Sequence, residues 1–133
     1  MFDPTKEVPS LELCKELKKL GFPQNRAGWF WVKWEPEEPY ILAITFDGRN
    51  YHNQSGRTST KPPFRIKAPT LHEVGEWLPE EFEEFKLDGK FWVKDRGDYN
   101  HLVSDENEIN ARTKMLIWLA KEGYICFIKY GLA

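Results

Sequence analysis

Residues 29 to 34 read Trp-Phe-Trp-Val-Lys-Trp, and this segment restricts the fold more than any other in the chain. Side chains alternate along a strand, so Trp29, Trp31 and Lys33 share one face while Phe30, Val32 and Trp34 share the other. Aromatic and β-branched residues favour the extended conformation, and neither face is cleanly polar. One face is expected to pack on helices. The other must be covered by a further element or stand exposed as a binding surface. A second strand, Tyr40 to Phe46, follows a polar, proline-broken link, Glu35-Pro36-Glu37-Glu38-Pro39, which predicts an antiparallel pair.

Helices are marked by their ends. Ser10 stands where it can cap a helix beginning near Leu11, Gly21 supplies a stop, and Leu13, Cys14, Leu17 and Leu20 form one stripe. Thr70 and Glu73 have capping-box spacing ahead of Leu71, Val74, Trp77 and Leu78, with Pro79 as the stop. The third helix is expected to start at Ser104 or Asp105, where Asp105 and Glu108 repeat that spacing, and to end at Gly123. Asp88-Gly89 between two apolar runs predicts a hairpin, and Tyr124 to Tyr130 reads as a closing strand. Residues 48 to 63 carry no periodicity and are expected to form a long polar loop. The whole reads as one α+β domain over residues 1–133: an antiparallel sheet of about four to six strands flanked by about three helices.

Composition bounds the function. The chain has 133 residues with 19 basic against 21 acidic side chains, a net charge of -2, so neither a bulk polycation nor a bulk polyanion is present. Yet no acid occurs between Asp47 and Glu73, while Arg49, Arg57, Lys61, Arg65 and Lys67 do. The start, Met1-Phe2-Asp3-Pro4, shows no secretion signal, and no apolar run approaches a membrane span. A cytoplasmic protein with reduced thiols at Cys14 and Cys126, both in apolar surroundings, is the expectation.

Catalytic patterns are weak. No phosphate-binding glycine loop occurs, and His52, His72 and His101 have no metal-ligand spacing, so no cofactor and no metal are expected. An enzyme would need titratable pairs in a concave site, and His52 with Asp47 or His101 with Asp98 are the candidates. Both cysteines are expected to be inert core side chains.

Three blocks carry a resemblance. Pro9 to Gln24, Ala68 to Pro79 and Ala111 to Tyr124 resemble, in the same order, segments of small phage- and prophage-encoded bacterial proteins that have no assigned activity. The resemblance implies a bacterial host cytoplasm and an accessory role, and it supplies no site residues.

The surface singled out is Trp29, Trp31 and Trp34 with Arg49, Tyr51, Arg57, Lys61 and Arg65. Tryptophan, tyrosine and arginine are the side chains that dominate protein interfaces, so a protein partner or self-association is the first expectation. Single-stranded nucleic acid is the alternative, since rings stack on bases while Lys and Arg meet phosphates. An enzyme is the third.

Overall fold

The computed structural model describes residues 4–53, 55–78, 82–95 and 101–127. After a short turn of 3-10 helix at Pro4–Lys6, helix α1 runs over Leu11–Lys19, followed by strands β1 (Gly28–Lys33), β2 (Ile41–Thr45), β3 (Asn50–Asn53), β4 (Thr58–Thr60) and β5 (Phe64–Lys67). Helix α2 (Leu71–Gly75) leads to β6 (Phe82–Leu87), β7 (Lys90–Asp95) and β8 (Leu102–Asp105), and α3 (Glu108–Lys121) closes the order. The fold is α+β, with three helices and a five-stranded antiparallel sheet in the order β4-β3-β2-β1-β5; β6-β7-β8 form a second, three-stranded sheet.

The helix caps follow the sequence at two of three starts. Ser10 Oγ accepts from Leu13 N, and Thr70 with Glu73 forms both halves of a capping box. The third start is a correction. Ser104 and Asp105 end strand β8, and the cap is Asn107, whose side chain accepts from Ile109 N and Asn110 N. Asp105 instead holds Asn107 N and the ammonium of Lys114, so its carboxylate serves the strand-to-helix corner. In the hairpin, Asp88 and Gly89 both have positive φ, 53° and 74°, which a two-residue turn with the twist of its strands requires.

Residues 48 to 63 are a second correction: they hold β3 and β4 rather than one loop. Asn53 Oδ1 accepts from Ser55 N and Arg57 N, and Gly56 sits at φ 81°, so polar turn chemistry builds this hairpin. Its strands are short and polar, and their register comes from pairing with β2, not from an apolar alternation. Residues 124–127 form no strand, while residues 128–130 of the expected closing strand lie outside the described residues. Cys126 is exposed, not a core side chain.

The five-stranded sheet cannot be flat. Its edge strands β4 and β5 stand four strand spacings apart, about 19 Å across a flat sheet. They are joined in the chain by Lys61-Pro62-Pro63 alone, and Thr60 to Phe64 can span at most about 14 Å. The sheet must therefore curl until its edges approach, and its inner face becomes an interior. Phe30, Val32, Ala43 and Tyr51 are buried there against one another, with Trp34 and Ile41 half-buried beside them. The outer face carries Leu42, Ile66, Trp29 and Trp31 and packs on Val8, Leu11 and Cys14 of the N-terminal segment and α1. The largest core lies elsewhere, where α3 meets α1, α2 and the second sheet through Leu17, Val74, Val93, Leu116 and Leu119.

One polar tie joins α3 to the second sheet. Arg112 donates from Nε to Glu84 Oε2 at 2.9 Å and also reaches Glu108 Oε2 at 3.5 Å. Oε1 of Glu84 is buried and receives no hydrogen bond. Interaction with the Glu84 carboxyl, with burial added, raises the Glu108 pKa. The folded chain thus holds a proton that the unfolded chain has released. The resulting stability is fully present below the ordinary glutamate range and is lost as pH rises through the raised value. Glu108→Gln keeps a donor without ionising, so thermal melts against pH should show that acid-side advantage in the wild type and a flatter profile in the variant.

Candidate functional site

At the end of the curled sheet where β1 begins, a cavity of about 450 Å³ opens. Its floor is Phe30 and Tyr51, whose rings meet edge-on at 5.7 Å and are both 3 % exposed. Three cations line it: Arg26 from the segment before β1, Lys61 from the β4–β5 link and Arg65 from β5. Distant positions converge because the curl carries the link over the open end of the sheet.

Each cation is held differently. Arg65 Nη1 donates to the carbonyl of Pro62, which aims the guanidinium from its own strand. Arg26 is shared with Glu76 at 3.1 Å. Lys61 is exposed and forms no ion pair or hydrogen bond among the described residues. Among the described residues no carboxylate lines the cavity. Besides Glu76, the turn beside the cavity holds Asp47, whose Oδ1 accepts from Arg49 N and Asn50 N, both at 2.8 Å. Those amides lower its pKa to about 2, so it stays ionised and pins the β2–β3 turn. Thr45 Oγ1 completes that turn by accepting from Gly48 N at 2.9 Å.

Tyr51 differs from its polar neighbours. Its ring is almost wholly buried, while its hydroxyl, which bonds to no described residue, opens onto the cavity. Burial pushes its pKa up against the pull of Arg65, and Asp47 adds to the rise, so the phenol keeps its proton and remains a donor.

Behind Phe30 lies a buried ion pair. Lys67, 1 % exposed, donates to Ala27 O at 3.0 Å, meets Glu73 Oε2 at 3.2 Å and passes 5.2 Å from the Phe30 ring centroid. Gly28 makes room for it. A Cβ there would stand 2.7 Å from Lys67 Nζ, and its φ of 128° is one that other residues rarely adopt. Lys67 therefore anchors the site from behind and is not a ligand group.

The surface singled out from sequence divides. Tyr51, Lys61 and Arg65 come together at the cavity. Arg57 lies over Trp34 at 5.8 Å, on the same inner face, and Arg49 is exposed in the rim turn. Trp29 and Trp31 are half-buried on the outer face beneath α1, with Trp31 Nε1 donating to Pro9 O at 3.3 Å. They belong to the packing against α1, and Trp34 does not share their face. Arg26 and Phe46 were missed. Phe46 read as the end of a strand, but β2 stops at Thr45 and the ring stands 76 % exposed in the rim turn. Arg26 sits in a polar segment that only the tertiary fold brings near Lys61.

Of the two expected catalytic pairs, His52 with Asp47 is not assembled. His52 Nδ1 lies 2.9 Å from Thr58 Oγ1, and Asp47 holds backbone amides instead. His101 stacks on Trp118 at 4.0 Å, and Asp98 lies outside the described residues. Cys14 is buried, and burial pushes its thiol up to about 12. Among the described residues no three His, Cys, Asp or Glu side chains gather as a metal site, and no helix is long and apolar enough to cross a membrane.

Comparison with protein-family models, with curated proteins and with solved structures finds no match to this chain.

The Lys67–Glu73 pair can be tested apart from its cap. Glu73→Gln retains the capping hydrogen bonds but leaves a buried ammonium without its counter-charge, and breaking such a pair costs about 3 kcal/mol or more. Urea denaturation should show a loss of that size, and an unchanged midpoint would refute the anchoring role.

Proposed function

We propose that this chain binds single-stranded nucleic acid across the open end of its curled sheet, as an accessory protein of the phage-encoded kind its helices resemble. The observation that carries this reading is the convergence of Arg26, Lys61 and Arg65 around a cavity lined by no carboxylate among the described residues. Arg49 and the exposed ring of Phe46 flank that end in the β2–β3 turn. Cations meet phosphates, and the exposed ring, which lies 6.2 Å from the His52 ring, offers a stacking surface that any base can use. The net charge of -2 is no obstacle at contact distance, because salt at physiological strength screens charges beyond about 8 Å.

Anisotropy titrations with a labelled, hydroxyl-ended oligothymidylate test this reading. With about three phosphates neutralised, log affinity should fall with log salt with a slope near about -2. Changing Arg57, Lys61 and Arg65 together to Glu should abolish binding, and Phe46→Ala should weaken it by about 1–3 kcal/mol. Absence of binding at low salt would dispose of the reading.

Protein contact, the other expectation, draws support from a different surface. The face of the second sheet turned away from α3 carries Phe85, 39 % exposed, Leu87, 54 %, and Leu102, 46 %, with Phe85 stacked on Trp92 at 6.3 Å. Exposed apolar side chains grouped on one sheet face mark interaction surfaces. If the partner is a second copy, light scattering should give a dimer mass that Leu87→Asp returns to the monomer. A monomer mass for the wild type would rule out self-association through this face.

A further inference from the structure

We infer that the cavity beneath Arg26, Lys61 and Arg65 is an end-recognition site that seats a terminal phosphate monoester, with the Tyr51 hydroxyl donating to it. The inference rests on the nucleic-acid reading and narrows it to the end of a strand.

Three observations carry it. The first is shape. Phe30 and Tyr51 close the floor, and Val32 and Ala43, both at 0 % exposure, fill the interior beyond them. A strand cannot thread through a cavity with a closed floor, and a free end reaches that floor more readily than a phosphate within a strand. The volume of about 450 Å³ falls in the range of sites that enclose small ligands.

The second is charge. Arg26 is partly neutralised by Glu76, while Lys61 and Arg65 have no acidic partner among the described residues. The site therefore presents close to two uncompensated positive charges. An internal phosphodiester brings one negative charge, whereas a terminal monoester brings about 1.5 to 2 at neutral pH together with three acceptor oxygens. The charge count matches the end rather than the middle of a strand.

The third is the phenol. The Tyr51 ring is buried, but its hydroxyl is open to the cavity and makes no hydrogen bond within the described residues, so it is free to donate to a ligand. It retains its proton and borders the same cavity as Arg65, whose guanidinium is already fixed by Pro62 O. A phosphate oxygen seated between them would satisfy the hydroxyl and gain a second, charged contact.

The experiment compares four probes in competition titrations against one labelled hydroxyl-ended oligothymidylate. These are unlabelled oligothymidylates ending in a 5′-phosphate, in a 3′-phosphate or in hydroxyls only, and thymidine 5′-monophosphate. One of the phosphorylated strands should bind about tenfold tighter than the hydroxyl-ended strand. Tyr51→Phe keeps the ring in the core and should erase most of that advantage, since a hydrogen bond to a charged group is worth about tenfold or more. The advantage is read as the ratio of the two strands' affinities within each variant. Lys61→Gln, at an exposed position, should reduce the same advantage and guards against a folding defect in the first variant. Equal affinity for all three strands overturns the end-recognition site and leaves the nucleic-acid reading standing. Displacement by the mononucleotide but by no strand overturns that reading and keeps the phosphate site, as one for a free nucleotide. An unchanged phosphate advantage in both variants removes Tyr51 and Lys61 from the site and overturns the inference as stated. No displacement by any probe overturns both.

Discussion

The three residues Lys61, Pro62 and Pro63 set the geometry on which everything else in the first sheet depends. A link this short between the two edge strands forbids a flat sheet, and curling turns one sheet face into an interior. From this follows the burial of Phe30, Val32, Ala43 and Tyr51 on a face that no helix of the described residues covers. From it also follows the cavity, because the link that forces the curl carries Lys61 to the rim and offers the Pro62 carbonyl to Arg65.

The structure treats its charges in two ways, according to how deeply they lie. At Lys67 the ammonium is compensated on all sides: a carboxylate, a carbonyl, the face of a ring and a glycine that leaves it space. Such a group is spent on architecture, tying β5 to the start of β1 and to α2. At the cavity the cations are exposed or half-buried and compensated only in part, and the hydroxyl beside them opens to the same space. Compensation inside the fold is what separates a structural charge from one with capacity left for a ligand.

Much of the fold was legible because its signals are local. Ser10, the Thr70–Glu73 box and Asp88-Gly89 act through backbone groups within a few residues, and each stands where the pattern placed it. The last helix start was not legible, since Asp105 satisfies a cap pattern yet is held in β8 by its own corner and by Lys114. Strands β3 and β4 were hidden for a related reason. Asn, Ser and Thr read as loop, and their strand state comes from ladder bonds to β2. Cys126 misled through its neighbours, because flanking apolar residues do not report on the side chain between them.

By itself the sequence determined the antiparallel α+β class, the helix faces, the hairpin and an acid-free stretch containing Tyr51, Lys61 and Arg65. It could also say that neither face of the Trp29–Trp34 strand was polar, leaving the second face either covered or exposed. Only the tertiary structure decided which cover each face received: α1 over Trp29 and Trp31, and the sheet's own curl around Phe30 and Val32. It also brought Arg26 to the basic stretch and released Phe46 from its strand. The physical reason is one of range. Caps, turns and alternation are enforced by neighbours in the chain, whereas the curl is a closure condition on five strands at once, and no single segment carries it.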